Sequence, residues 1–127
     1  MPDLIDSSVV IDAAKDHPEA LAYVRQSLLA GSAALHAVTL AEVIVGTRDS
    51  RELFRLRRIL RPFDVEYPVV PDGTLALEYL GRLHLSHDVD LPDCLIASTA
   101  LRLDHSVVTV NDRHFRLFKG LKVIRPY

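Results

Sequence analysis

Short apolar runs alternate along this chain with longer stretches in which apolar residues recur every three or four positions, and polar residues, glycine or proline mark the boundaries. Leu4-Ile5 is a very short apolar segment leading into Asp6-Ser7-Ser8, after which Val9, Val10, Ile11, Ala13 and Ala14 predict one or two helical turns. Pro18 and Glu19 suit the start of a second helix, whose Leu21, Val24, Leu28 and Leu29 form an amphipathic stripe that ends at Gly31. Residues 33–37 predict a strand, and Thr39 is placed to cap a helix of Leu40, Ala41, Glu42, Val43, Ile44 and Val45 that stops near Gly46. Residues 49–60 return to helical periodicity, with Leu53, Leu56, Ile59 and Leu60 on one side and Arg51, Arg55 and Arg58 on the other. A third strand is predicted over 65–70, where Pro68 demands an edge position or an early end, and Pro71-Asp72-Gly73 marks a break.

A longer helix is predicted over 74–85, followed by the polar connection His87-Asp88-Val89-Asp90. Asp93, after Pro92, opens an apolar helix over 94–103. Residues 106–110 have the β-branched, continuously apolar character of a strand buried in a parallel sheet, and Lys122-Val123-Ile124 supplies a last one. This alternation predicts an α/β fold, a three-layer α/β/α sandwich with a mostly parallel central sheet. Ligands of such sheets bind in the crevice beyond the carboxyl ends of the strands, where Asp6 and Asp112 fall. With 127 residues, 49% of them hydrophobic, and no repeat or linker, a single domain over 1–127 is expected.

Composition narrows the chemistry. Fifteen basic against 17 acidic residues, a net charge of −2, exclude the global positive field of a tight nucleic-acid binder, so any nucleic-acid partner must meet a local basic patch. The single cysteine, Cys94, excludes an internal disulfide framework, and no signal-peptide pattern precedes the first strand, which together predict a reducing cytoplasm. No apolar run reaches the roughly 18 to 20 residues of a membrane span. Two basic clusters stand out: Arg51, Arg55, Arg57, Arg58 and Arg61 on one helix, a solvated face or a phosphate track, and Arg113, Arg116, Lys119 and Lys122 near the C-terminus. Within the second, Arg113 and His114 are candidate phosphate contacts, against the plainer reading of a solvated arginine and a partly packed histidine beside Phe115.

The carboxylates Asp6, Glu42, Asp93 and Asp112 are the candidate chemistry. Converging carboxylates provide the hard oxygen donors that Mg²⁺ and Mn²⁺ take, and such ions commonly bridge a protein to substrate phosphates. Each has a plainer reading: Asp6 as a helix cap, Asp93 as a first-turn carboxylate favoured by the helix dipole, Asp112 as half of an Asn111-Asp112 turn. Glu42, flanked by Leu40, Ala41, Val43, Ile44 and Val45, is expensive in so apolar a helix unless it is paired, hydrated or bound to a cation. His84 and His87 lack the further ligands of a zinc set, no glycine-rich phosphate loop occurs, and Ser8 stands where a phosphoaspartate enzyme of the haloacid type would need a second aspartate. Lys119 and Lys122 are poorly placed for a receiver-like phosphoacceptor.

Leu4-Ile5-Asp6-Ser7-Ser8, Thr39-Leu40-Ala41-Glu42-Val43, Leu91-Pro92-Asp93-Cys94-Leu95-Ile96-Ala97 and Val108-Thr109-Val110-Asn111-Asp112-Arg113-His114-Phe115, in this order and spacing, resemble the PIN-domain nucleases. Within that family they resemble the small VapC-type toxins of toxin–antitoxin pairs. The resemblance implies a metal-dependent endoribonuclease hydrolysing RNA phosphodiester bonds with Mg²⁺ or Mn²⁺. Asp6, Glu42 and Asp93 would be the first three acidic ligands, and Thr109 the hydroxyl that orients the first. The family often places its fourth aspartate two residues after the threonine. Here Asn111 stands there and Asp112 follows, which makes either the fourth ligand, with Asp90 in reserve or a plain loop residue. The resemblance further implies a small antitoxin blocking the acidic groove through a basic side chain, and a homodimer packed through helices. The alternative is a catalytically idle PIN-like module that binds RNA or protein.

Overall fold

The computed structural model describes residues 2–127. Five strands, β1 (Asp3–Ile5), β2 (Ala33–His36), β3 (Asp64–Glu66), β4 (Ser106–Val108) and β5 (Val123–Ile124), form one sheet in the order β3-β2-β1-β4-β5. All four pairings are parallel, with Leu4 opposite Ala34 on one side and Val107 on the other. Parallel neighbours require crossovers, and helices supply them. These are α1 (Ser7–Ala14), α2 (Pro18–Leu29), α3 (Ala37–Val45), α4 (Ser50–Leu60), α5 (Val70–Leu83), α6 (Leu91–Leu103) and the short α7 (Asp112–Phe115).

Strand periodicity divides the core into two layers. Ile5, Leu35 and Val108 point to one face, where Val9, Val10, Val24, Val43, Leu56 and Leu60 of α1 to α4 cover them. Leu4, Ala34 and Val107 point to the other, against Ala76, Ile96, Ala97, Ala100, Phe115 and Phe118. The result is the predicted α/β/α sandwich. β3 lies at the sheet edge, as Pro68 demands, but ends at Glu66 rather than running to residue 70. Among the described residues no helix is long and apolar enough to cross a membrane.

Two boundaries differ from the sequence expectation for identifiable reasons. Pro71-Asp72-Gly73 is no break; it forms the first turn of α5. Proline occupies an early helical position where no N–H is needed, and Asp72 accepts the Val69 N–H at 2.9 Å in capping-box fashion. Likewise α3 starts at Ala37, with His36 as its cap: the His36 Nδ1 accepts the Val38 N–H at 3.0 Å. Thr39, expected as the cap, lies inside the first turn, buried and without a hydrogen-bond partner for its hydroxyl.

His36 and Asp72 belong to one buried network. With Nδ1 accepting, the ring carries its proton on Nε2 and donates to Thr99 Oγ1 at 2.9 Å. Thr99 in turn donates to Asp72 Oδ2 at 3.0 Å, and the Arg102 guanidinium grips both Asp72 oxygens at 2.8 and 3.1 Å. The chain of donors ties the end of β2 and the start of α3 to α6 and α5. Burial lowers the His36 pKa to about 4, only partly opposed by the Asp72 charge. For Asp72, burial alone would raise the pKa, but the Arg102, Val69 and Thr99 donors together hold it below the ordinary value.

A histidine depressed from 6.5 to about 4 takes up its proton more readily in the unfolded chain, so stability is full above pH 6.5 and falls as pH drops towards 4. Over that window the term is worth roughly 3 kcal/mol at most. Urea midpoints at pH 7 and pH 4.5 are therefore expected to differ less in His36→Gln than in the wild type; equal differences in the two proteins would show that His36 does not carry this acid sensitivity.

Candidate active site

β1 and β4 are neighbours at the point where the strand order reverses, and side chains just beyond their carboxyl ends meet there. Asp6 follows β1 directly and holds the N-cap position of α1, yet its side chain makes no capping bond. It turns instead to hydroxyls: Ser8 Oγ and Thr109 Oγ1 each donate to Asp6 Oδ2 at 2.9 Å. Thr109 is itself fixed by the Asn111 N–H at 2.9 Å, and Ser8 by the Val110 N–H at 3.2 Å. All the hydrogen bonds to this carboxylate found among the described residues fall on Oδ2, leaving the Oδ1 lone pairs to a ligand. Asp6 and Thr109 are both buried.

The other carboxylates arrive on helices. Glu42, halfway along α3, is part-buried; burial raises its pKa, the Asp6 and Asp90 charges add to the rise, and the Ser7 hydroxyl opposes it. Asp93 lies in the first turn of α6, capped by Asp90, whose Oδ1 accepts the Asp93 N–H at 2.9 Å. Asp90 is thus a helix cap rather than a plain loop residue. Burial foremost, then the charges of Asp90, Asp6 and Glu42, push the Asp93 carboxyl up to about 8. These carboxylates are close enough to raise one another's pKa values, although among the described residues no three His, Cys, Asp or Glu side chains are drawn together tightly enough to cage an ion as they stand.

Asp112 is placed differently. Its Oδ2 accepts from Arg116 Nε at 3.0 Å and its Oδ1 from Arg125 Nη1 at 3.0 Å, and those bonds hold its pKa below the ordinary value. Asp112 is not among the charges that raise Glu42 or Asp93. Asn111 is exposed, its backbone engaged with Thr109. Arg113 is exposed. His114 comes closer to the cluster than the sequence indicated, with Nδ1 at 3.3 Å from Asp93 Oδ2. In the sequence Ser8 reads only as the lack of a second aspartate, although a serine two residues after a strand-end aspartate is a short-range hydroxyl donor of the ST-turn kind.

The Asp93 shift has a sign. An unfolded aspartate loses its proton near 3.8 and the folded one near 8, so the folded state binds more protons between those values and is destabilised as pH rises through them. Without divalent cations at pH 7.5, Asp93→Asn is expected to melt several degrees above the wild type, because a neutral amide escapes the cost of protonating on folding a carboxylate that is ionised in the unfolded chain. Added Mn²⁺ should raise the wild-type melting temperature and raise that of the variant less; calorimetry with and without the ion checks both.

Residues 4–121 match the family model described as PIN domain. The chain is 33% identical over 122 residues to ribonuclease VapC10 of Mycobacterium tuberculosis, a match spanning 94% of this chain and 90% of that protein. In fold it is similar to a toxin–antitoxin complex from Klebsiella pneumoniae, at a TM-score of 0.76 with 25% identity over 98% of each chain. It is also similar to VapBC2 from Rickettsia felis, solved bound to a promoter DNA fragment, at a TM-score of 0.81 with 22% identity over 97% of each chain, a likeness of fold alone.

Proposed function

Because this chain belongs to the PIN-domain family, with VapC-type ribonucleases among its relatives, we propose that it is a metal-dependent endoribonuclease, the toxin of a VapBC-type pair. The observation that carries the reading is the gathering of Asp6, Glu42 and Asp93 at one end of the sheet, near enough that their charges, together with burial, raise the Asp93 carboxyl. Half-buried carboxylates set against one another gain by sharing a cation, and every donor here is the hard oxygen that suits Mg²⁺ or Mn²⁺. Asp6, Glu42 and Asp93 would hold it. When bound, such an ion lowers the pKa of its water and offsets charge building on the phosphoryl oxygens.

The chain's own residues prepare that chemistry. Ser8 and Thr109 fix Asp6 from the Oδ2 side. Asp90 caps α6 and so sets the turn that presents Asp93. His114 Nδ1 lies 3.3 Å from Asp93 Oδ2 and orients that carboxylate, and with exposed Arg113 it would border a substrate phosphate. Asp112, paired with two guanidiniums, braces the turn after β4, and Asn111 would take the fourth place by the site. The antitoxin would supply a basic group to the acidic groove, and the toxin would act as a homodimer in the cytoplasm.

Purified protein is expected to cut RNA with Mg²⁺ or Mn²⁺ and not with EDTA. Asp6→Asn, Glu42→Gln and Asp93→Asn should each lose about a thousandfold or more in kcat/KM, and Thr109→Val about tenfold. Asp112→Asn should lose less than Asp6→Asn. Full activity in Asp93→Asn, or cleavage in EDTA, would sink the metal-nuclease reading; a folded wild type that cuts nothing and binds no Mn²⁺ would leave an idle binding module.

A further inference from the structure

In a chain of net charge −2, five arginines fall between positions 51 and 61, with Glu52 the one acid among them. They form the outer face of α4 and its C-cap, since the helix buries Leu56 and Leu60 inward. Glu52 is already taken by Arg48 at 2.7 Å, and Arg55 reaches Asp16 at 3.4 Å. Among the described residues, Arg51, Arg57, Arg58 and Arg61 have no carboxylate at ion-pair distance. So much unbalanced positive charge on one surface element calls for a polyanion.

An aromatic ring sits within it. Phe54 is 66% exposed, and helical spacing places Arg51 three residues before it and Arg58 four after it on the same side. Arg51, Phe54, Arg55, Arg58 and Ile59 line a shallow open hollow of about 370 Å³. Through Arg55 and Ile59 the hollow continues into a groove of about 720 Å³ between α4 and the pair α1 and α3, with Ile11 and Val43 in its floor. Ile11 lies five residues beyond Asp6 on α1, and Gly46 four beyond Glu42 on α3. At 1.5 Å per residue the groove thus opens about 6 to 8 Å along either helix from the carboxylates.

Single-stranded RNA offers phosphates and unpaired base faces together, which a duplex does not. An acidic protein segment would satisfy the arginines but brings a ring to Phe54 only where its sequence carries an aromatic residue, whereas every nucleotide of a strand brings a base. The nuclease site is itself negative, so a polyanionic strand needs a positive surface nearby to be held at all. We propose that α4 is a holding surface for single-stranded RNA, in which a base stacks on Phe54, Arg51, Arg55 and Arg58 grip the flanking phosphates, and the groove leads the strand towards Asp6 and Glu42. This rests on the ribonuclease reading above.

The test is anisotropy of a labelled oligouridylate of about twelve nucleotides, long enough to span such a surface, with purified protein in EDTA so that binding is read apart from metal-dependent cutting. Phe54→Ala should weaken binding about tenfold while Phe54→Tyr retains it. The double variant Arg51→Gln with Arg58→Gln should lower the log–log salt slope by about 1.4. A polyglutamate of equal length should compete poorly. Wild-type-like binding by both the alanine and the double-glutamine proteins, or no binding by the wild type, would overturn the proposal. So would equal competition by polyglutamate with Phe54→Ala indistinguishable from Phe54→Tyr, which would mark the face as one for an acidic protein segment. Binding that depends on these residues in a protein that cuts no RNA would sink the nuclease reading alone; cutting with α4 variants that bind normally would sink this inference alone.

Discussion

Repulsion between carboxylates is the constraint around which this molecule is arranged. Asp6, Glu42, Asp90 and Asp93 come to one end of a parallel sheet, and burial together with the charges of the first three raises the cost of ionising Asp93. Left to relax, such side chains would swing apart into solvent. They do not because each is carried by an element whose position is decided elsewhere: Asp6 by a central strand, Glu42 by a helix packed on the sheet, Asp93 by a capped helix start.

The bracing is polar as well as apolar. Two hydroxyls restrain Asp6 from one side, and their own positions are set by backbone N–H groups of the turn after β4. Further inside, the His36, Thr99, Asp72 and Arg102 network links the start of α3 to α6, the two helices that present Glu42 and Asp93. A satisfied buried network of this kind admits one arrangement of donors and acceptors, because a slip of either helix would leave a buried polar group without a partner. Stability is thus spent on holding like charges together, as at other sites where strain serves function.

The sheet and its layers were legible in the sequence because apolar runs and helical stripes are local signals: Leu4-Ile5, 33–36 and 106–108 fall on strands, while the expected runs to 37 and 110 overshoot, Ala37 opening α3 and Thr109 and Val110 lying past the end of β4. The start of α5 was misread because Pro71 and Gly73 were taken as a break, although proline and an aspartate in a first turn are also start signals. For the candidate site, the settings of Asp6, Glu42 and Asp93 and the family resemblance single them out, and the fold brings them to one end of the sheet. The ion pairs of Asp112 were half readable, since Arg116 stands four residues on while Arg125 reaches it only through the fold. His36 gave no sign, because Thr99 and Asp72 are brought to it from 63 and 36 positions away by sheet topology. Local pattern fixes elements, and tertiary contacts alone decide which polar groups meet.

The bond from Thr109 to Asp6 spans 103 positions and closes only when β4 slots in beside β1. Ribosomal synthesis delivers β1 about a hundred residues before β4, so the emerging polypeptide holds Asp6 throughout that interval without its partner strand. Long-range parallel pairing of this sort is slow to form. A nascent chain from which β4 has not yet emerged therefore carries Asp6 without the Thr109 hydroxyl that bonds it, and the folding order itself delays the closing of this end of the sheet until β4 is made.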